Sequence, residues 1–242
     1  MEIKTLAVVL NKIKYNDTSY IANLITREVG KVTVFIRIPK AKKAVVKPGL
    51  FYPLNVIETE ISQKASRNIQ NIKHCSTAFS TYNICTDVFK SSIAQFIAEV
   101  VGKTCSDNQA DEDLFEYLLE IIKSLEKNDE PSHNLLLLFL KDYARLLGFE
   151  ITNNYSEHTP FFSLREGMFL PVYTTDEESM SPNLSKMLSD LFSLDTDSIK
   201  EFKPGYENRK QLLSKLLLYY KIHLDEFPEI KSLSVLNSVF TD

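Results

Sequence analysis

Gly30-Lys31-Val32-Thr33-Val34-Phe35-Ile36-Arg37-Ile38 is the stretch on which the fold turns. Val32, Val34, Ile36 and Ile38 alternate with Thr33, Phe35 and Arg37, a period of two that gives a strand one apolar face. Just before it, Glu28-Val29-Gly30-Lys31 sits where a hairpin turn would use the freedom of glycine at positive φ. Leu6, Val8 and Leu10 repeat the alternation, and Tyr20 to Thr26 is a further extended apolar segment. Leu54 to Ile61 and Ile69 to Thr77 supply two more strands. Five short strands with turn punctuation fit a small closed barrel, and an OB-fold has that count. Pro39 to Pro48 then forms a long basic loop leaving the third strand.

After about Tyr82 the period becomes helical. Phe89, Ile93, Phe96 and Val100 lie on one helix face, as do Leu114, Leu118, Ile121 and Leu125. Asp111, Glu112 and Asp113 precede the second of these, where the helix dipole favours anions. Pro131 is placed to open the next helix and Gly148 to close it. Its run Leu135 to Leu140 is apolar all round, which predicts a central position. Residues 150–183 are polar, with a hairpin expected between Phe161 and Val172. Helices resume at about Asn183 to Leu194 and Tyr206 to Leu224, with a short last one from Leu233 to Phe240. The expectation is an α+β protein: a barrel domain over residues 1–80, then a helical domain over 81–242 with a hairpin insert at about 150–183.

At 242 residues and 44% apolar content the chain can bury a sizeable core. Its six glycines are too far apart for a G-x-G-x-x-G turn, a P-loop or a G-x-S-x-G elbow, which speaks against nucleotide-driven chemistry by those routes. The longest apolar run is far short of a membrane span, the start lacks the layout of a signal peptide, and three cysteines without pairing logic suit a reducing compartment. These features predict a soluble, cytoplasmic protein.

The net charge of −4 conceals a split. Residues 1–80 carry 13 Lys and Arg against 5 Asp and Glu, a surplus of +8, whereas 81–242 carry 15 against 27, a deficit of −12. Between Glu28 and Glu58 stand Lys31, Arg37, Lys40, Lys42, Lys43 and Lys47 without one acid. Such a run is either a solvated loop or a polyanion site, and its place in a basic N-terminal unit points to the polyanion.

No catalytic constellation stands out. Cys75, Cys85 and Cys105 share no C-x-x-C spacing, and His74, His133, His158 and His223 are scattered, so no metal site is expected. Glu177-Glu178 and Asp225-Glu226 read as solvated loop carboxylates. The aromatics say more: Tyr15, Tyr20, Phe35 and Phe51 are interleaved with the cations of the barrel. Each ring either stacks on a base, as in single-strand binders, or fills the core. By parity Lys12 and Lys14 share one strand face and can act with the loop lysines.

Several segments together carry a family resemblance. Ala7-Val8-Val9-Leu10 followed by Lys14-Tyr15-Asn16-Asp17-Thr18 resembles the opening of the RecO family of bacterial recombination and repair mediators. Thr26-Arg27-Glu28-Val29-Gly30-Lys31 is similar to its T-R-E-x-G-K hairpin, and Arg37 to Lys43 takes the place of its basic loop. Leu50-Phe51-Tyr52-Pro53-Leu54 resembles the following L-x-P segment, and Leu146-Leu147-Gly148-Phe149 the L-L-G-[FY] helix end. Tyr220, His223-Leu224 and Lys231-Ser232 resemble the Y-H-L…L-K-S stretch. There are two departures. Residues 150–183 lack the four cysteines with which many members bind zinc, so the hairpin must hold itself by packing. Ile38-Pro39 replaces the glycine that commonly follows the third strand.

The resemblance implies an OB-fold, a helical C-terminal domain, no enzymatic turnover and no cofactor. It implies binding of single- and double-stranded DNA, strand annealing and, with RecR and in some bacteria RecF, help for RecA in replacing single-strand binding protein (SSB). The residues expected at DNA are Lys12, Lys14, Tyr15, Arg27, Lys31, Phe35, Arg37, Lys40, Lys42, Lys43 and Lys47. Lys141 and Arg145, four apart on one helix, are expected to receive the acidic C-terminal tail of SSB; pairing of Lys141 or Arg145 within the helix is the alternative. The competing function is a protein-only adaptor whose basic barrel binds an acidic protein partner.

Overall fold

The computed structural model describes residues 1–37, 47–64, 66–127 and 133–239. Within the N-terminal part, β1 (Glu2–Asn16), β2 (Ser19–Thr26), β3 (Gly30–Arg37), β4 (Val56–Ser62) and β5 (Ile69–Thr77) close into a barrel in the order β1-β2-β3-β5-β4. All neighbours are antiparallel except β3 and β5, which run parallel from Thr33 opposite Ile69 to Phe35 opposite Asn71. This is the five-stranded OB-fold expected from the strand count. Then come α1 (Tyr82–Thr86), α2 (Val88–Thr104), α3 (Glu112–Lys127), α4 (Leu135–Leu146), the hairpin strands β6 (Phe161–Ser163) and β7 (Met168–Leu170), α5 (Pro182–Asp190), α6 (Tyr206–His223) and α7 (Ser232–Val239). The chain divides into two compact units, Met1–Lys127 with Ile230–Thr241, and Asn128–Glu229.

In β3 the alternation holds: Val32, Val34 and Ile36 are buried, Thr33 and Phe35 half-buried, and Arg37 exposed. Ile38 lies outside the described residues. For β1 the structure corrects the reading. Ala7 and Val9, with Leu24, Ile57, Ile61 and Phe51, fill the interior. Leu6, Val8 and Leu10 occupy the other face, and Val8 and Leu10 are buried there because α2 packs against β1. A bulge between Val9 and Asn11 breaks the register. The turn after the third strand ties into this break. Leu54 N–H donates to the Val9 carbonyl at 2.8 Å, and Val9 N–H donates to the Asn55 carbonyl at 2.9 Å. Beyond the bulge parity is reversed. Lys12 and Lys14 therefore stand opposite Ala22 and Tyr20, and Ile13 stands opposite Ile21.

The β2–β3 turn is gripped by the segment between α2 and α3. Gly30 holds φ +70°, and a Cβ there would lie 1.9 Å from the Gln109 carbonyl oxygen. Asn108 N–H donates to the Lys31 carbonyl at 2.9 Å. No side chain fits this approach, which gives the hairpin glycine a steric reason beyond its turn geometry.

α7 joins the first unit through one carboxylate. Glu99 on α2 accepts Lys103 Nζ at 2.6 Å and the backbone N–H groups of Lys231 and Ser232 at 2.9 and 2.8 Å. Partial burial pushes its carboxyl up, but bonds from Lys103, Ser232 and Lys231 outweigh that and hold it at about 2.

In the second unit α4 is central as expected, with Leu135 to Leu140 all buried. Its helix begins at Leu135, and Pro131 lies outside the described residues. Phe139, Tyr143 and Tyr220 stack in series, and the buried Tyr220 hydroxyl donates to the Leu140 carbonyl at 2.7 Å. Aromatic packing also holds the β6–β7 hairpin. Phe162, Phe169 and Tyr219 pack edge to face, with Tyr155 against Phe169. His223 Nε2 donates to the Leu164 carbonyl at 2.9 Å and its ring stacks on Phe149. Among the described residues no three His, Cys, Asp or Glu side chains gather to hold a metal ion. Residues 150–183 contain no cysteine, so this segment does not fit the zinc site weighed from the family resemblance.

Candidate nucleic-acid interface

The two ends of the β2–β3 ribbon differ in chemistry. They lie roughly 23 Å apart, at about 3.3 Å per residue. At the turn end, Arg27 pairs with Glu116 and sits over the Phe115 ring, 5.1 Å from its centroid. Lys31 Nζ donates to the Cys105 carbonyl at 3.0 Å and pairs with Asp107 at 3.1 Å, its side chain only 17% exposed. Both cations are consumed in fastening the hairpin to its own unit, Arg27 to α3 and Lys31 to the segment between α2 and α3. The barrel wall nearby is acidic, with a cleft of about 650 Å³ lined by Lys4, Glu28, Glu58, Glu60 and His74.

At the open end the outer wall of β1, β2 and β3 carries apolar and aromatic groups in register. Ile13 stands opposite Ile21, and Ile21 opposite Phe35. The Tyr15 ring, 65% exposed, meets Phe35 edge-on with centroids 5.9 Å apart. One row inward, Asn23 Nδ2 donates to Asn11 Oδ1 at 3.1 Å, and the Thr33 hydroxyl donates to Asn23 Oδ1 at 2.7 Å. This polar ladder ties the three strands together beside the rings.

Cations frame the same end. Arg37 is exposed at the end of β3, and Lys47 is exposed where the described chain resumes. Lys12 Nζ lies 5.3 Å from the Tyr20 ring centroid and donates to the Pro48 carbonyl at 2.8 Å, so it stands beside Lys47. Lys14 pairs with Asp17 at 2.8 Å on an exposed surface. Lys40, Lys42 and Lys43 lie outside the described residues. Phe51, the fourth aromatic considered, is 1% exposed and belongs to the core. Ile13 and Ile21 were missed by the sequence reading; their signal is the parity change at the β1 bulge.

Lys141 and Arg145 do not share one surface. Lys141 is buried, donates to the Leu191 carbonyl at 3.1 Å, pairs with Asp142 at 3.0 Å and lies over the Phe192 ring. Arg145 is exposed.

Comparison with known proteins accounts for the whole chain. The family model described as "Recombination protein O N terminal" matches residues 1–81, and "Recombination protein O C terminal" matches residues 85–233. DNA repair protein RecO of Azobacteroides pseudotrichonymphae is 31% identical over 240 residues, covering 99% of this chain and 100% of that one. The chain belongs to the RecO family of DNA repair proteins. RecO proteins of Phocaeicola vulgatus (31% identical, 98% of this chain and 99% of the relative) and Flavobacterium psychrophilum (33%, 100% of both) align over the same span. The RecO N-terminal domain is the OB-fold, which the β1–β5 barrel here forms. RecO proteins are DNA repair mediators, in general without enzymatic turnover. No helix of the described residues is long and apolar enough to cross a membrane.

Proposed function

We propose that this RecO-family protein is a non-enzymatic recombination mediator that binds single- and double-stranded DNA and anneals complementary strands. With RecR, and with RecF where present, it helps load RecA onto single strands coated by SSB. The observation that carries the DNA assignment is the exposed Tyr15 ring against the half-buried Phe35, at the barrel end that also holds Arg37, Lys12 and Lys47. Rings stack on bases and lysines follow the phosphates. The acidic cleft at the turn end repels the same polyanion. DNA contacts are assigned to Lys12, Lys14, Tyr15, Phe35, Arg37 and Lys47 with Lys40, Lys42 and Lys43; Arg27 and Lys31 fasten the hairpin that presents them. Annealing follows if this cationic end screens the repulsion between two strands. The barrel of residues 1–80 is the DNA-binding domain in this reading, and residues 81–242 carry protein partners. For the SSB tail, Arg145 is the exposed cation on α4 and Lys141 braces that helix from inside.

The test is anisotropy of a labelled single-stranded oligonucleotide across a salt series, wild type against the Lys40, Lys42, Lys43, Lys47→Ala quadruple variant. Each lost phosphate contact flattens the log–log slope by about 0.7, so a reduction of up to about 3 is expected. An unchanged slope would move DNA off this end and favour the adaptor reading. Arg145→Glu should weaken SSB-tail binding; unchanged affinity would remove that assignment.

A further inference from the structure

Tyr82, Val88 and Phe89 are 68%, 64% and 41% exposed, and Cys85 between them is exposed as well. They stand on α1 and the first turn of α2, both in the first unit. They share no residue with the Tyr15–Phe35 wall or the cations that frame it. Single exposed apolar side chains need no explanation, whereas several gathered in so short a segment mark a surface that meets something.

The charges around this patch are the second observation. A quarter of the chain is charged, yet between Lys73 and Glu99 only Asp87 and Lys90 carry charge. Both are spent within the fold. Asp87 caps α2 by accepting the Lys90 N–H at 2.9 Å, and Lys90, 3% exposed, donates through Nζ to the Glu126 carbonyl at 3.2 Å. The Glu126 carboxylate, brought by α3, accepts the N–H groups of Asn83 and Ile84 at 3.0 and 2.9 Å. Thr86 and Ser91 donate their hydroxyls to the Tyr82 and Val88 carbonyls at 2.9 and 3.0 Å. The surface therefore has an apolar centre and neutral polar neighbours that are already bonded, the layout of an interface.

An acidic or basic partner finds no countercharge here. A second copy of the same chain does match. In a two-fold contact each patch meets its own image, so a free charge near the axis would face its like, and this patch carries none. We infer that α1 and the first turn of α2 form a self-association surface on which a second copy of this chain docks through the same residues. The apolar centre is small beside the about 800 Å² per partner of a standard interface, so the dimer is weak, forming at roughly 10–100 μM. Each copy brings its own barrel, so the pair offers two DNA ends, one for each complementary strand; this consequence alone rests on the DNA reading.

The test is sedimentation equilibrium of the full, reduced chain from about 1 to 200 μM. Wild type should pass from one copy to two across that range. Val88→Glu and Tyr82→Glu each set like charges within the patch and should weaken association at least about tenfold. Both alter exposed side chains, so the melting midpoint should hold and single-stranded oligonucleotide affinity should stay within about twofold. In a Cys105→Ser background, a short bismaleimide should link two chains through Cys85 in concentrated protein but not in dilute protein, and Val88→Glu should prevent the link. A wild-type chain that stays single throughout overturns the inference, as does association that neither Val88→Glu nor Tyr82→Glu weakens. Association without the Cys85 link would place the contact on another face and overturn it too.

Discussion

Tyr15 and Arg27 show how differently two residues of one basic, aromatic barrel are used. Tyr15 is 65% exposed and meets Phe35 edge-on. Tyr15→Ala is expected to leave the urea midpoint unchanged while weakening single-strand binding by about 1–3 kcal/mol. Arg27 and Lys31 should behave in the opposite way. Arg27→Ala removes a bond to Glu116 on α3, and Lys31→Ala removes bonds to the segment between α2 and α3, each at about 1 kcal/mol in urea denaturation, with DNA affinity within about twofold. Gly30→Ala is the severe case. It combines positive φ with a backbone oxygen 1.9 Å from the new Cβ, and should cost at least about 2 kcal/mol. Glu116, Asp107 and Cys105, the partners that bind Arg27 and Lys31, lie far along the chain from them. No local pattern could have revealed them, so both cations looked like phosphate ligands in the sequence.

Strands and helices were legible wherever one period ruled. β3 alternates cleanly because one of its faces is solvated, and α4 reads as central because its apolar run has no polar stripe. β1 misleads for a physical reason: α2 buries its outer face, so both parities look apolar, and the bulge then shifts which side chains point outward. The hairpin β6–β7 was expected without metal ligands, but Phe162, Phe169 and Tyr219 as its support became visible only in three dimensions. The α2–α7 contact has its own signature in pH. Glu99 is held below its ordinary 4.5, at about 2, so the stabilisation is complete above about 4.5 and drains away as pH falls toward 2. Hydrogen exchange of α7 amides should accelerate across that window. Glu99→Gln should show fast α7 exchange already at neutral pH, with the acid dependence reduced.

Across the chain, the net positive charge falls in residues 1–80 and the net negative charge in residues 81–242, so the polyanion is expected at the barrel. Cys75 offers a reporter for that barrel. Burial pushes its thiol up to about 12 and it lies within the barrel core, whereas Cys85 is exposed. A maleimide should therefore label Cys85 at once and reach Cys75 only when the barrel opens, with a urea dependence matching global unfolding. Slow labelling of both, or fast labelling of both, would contradict the burial pattern. α7 lies more than a hundred residues downstream of the helix it covers, and the whole of the second unit is translated between them. On the ribosome, the barrel can therefore close while the face of α2 beneath α7 still lacks its cover. The first unit reaches its finished form only after the second has been synthesised, leaving an interval in which a chaperone could occupy that face.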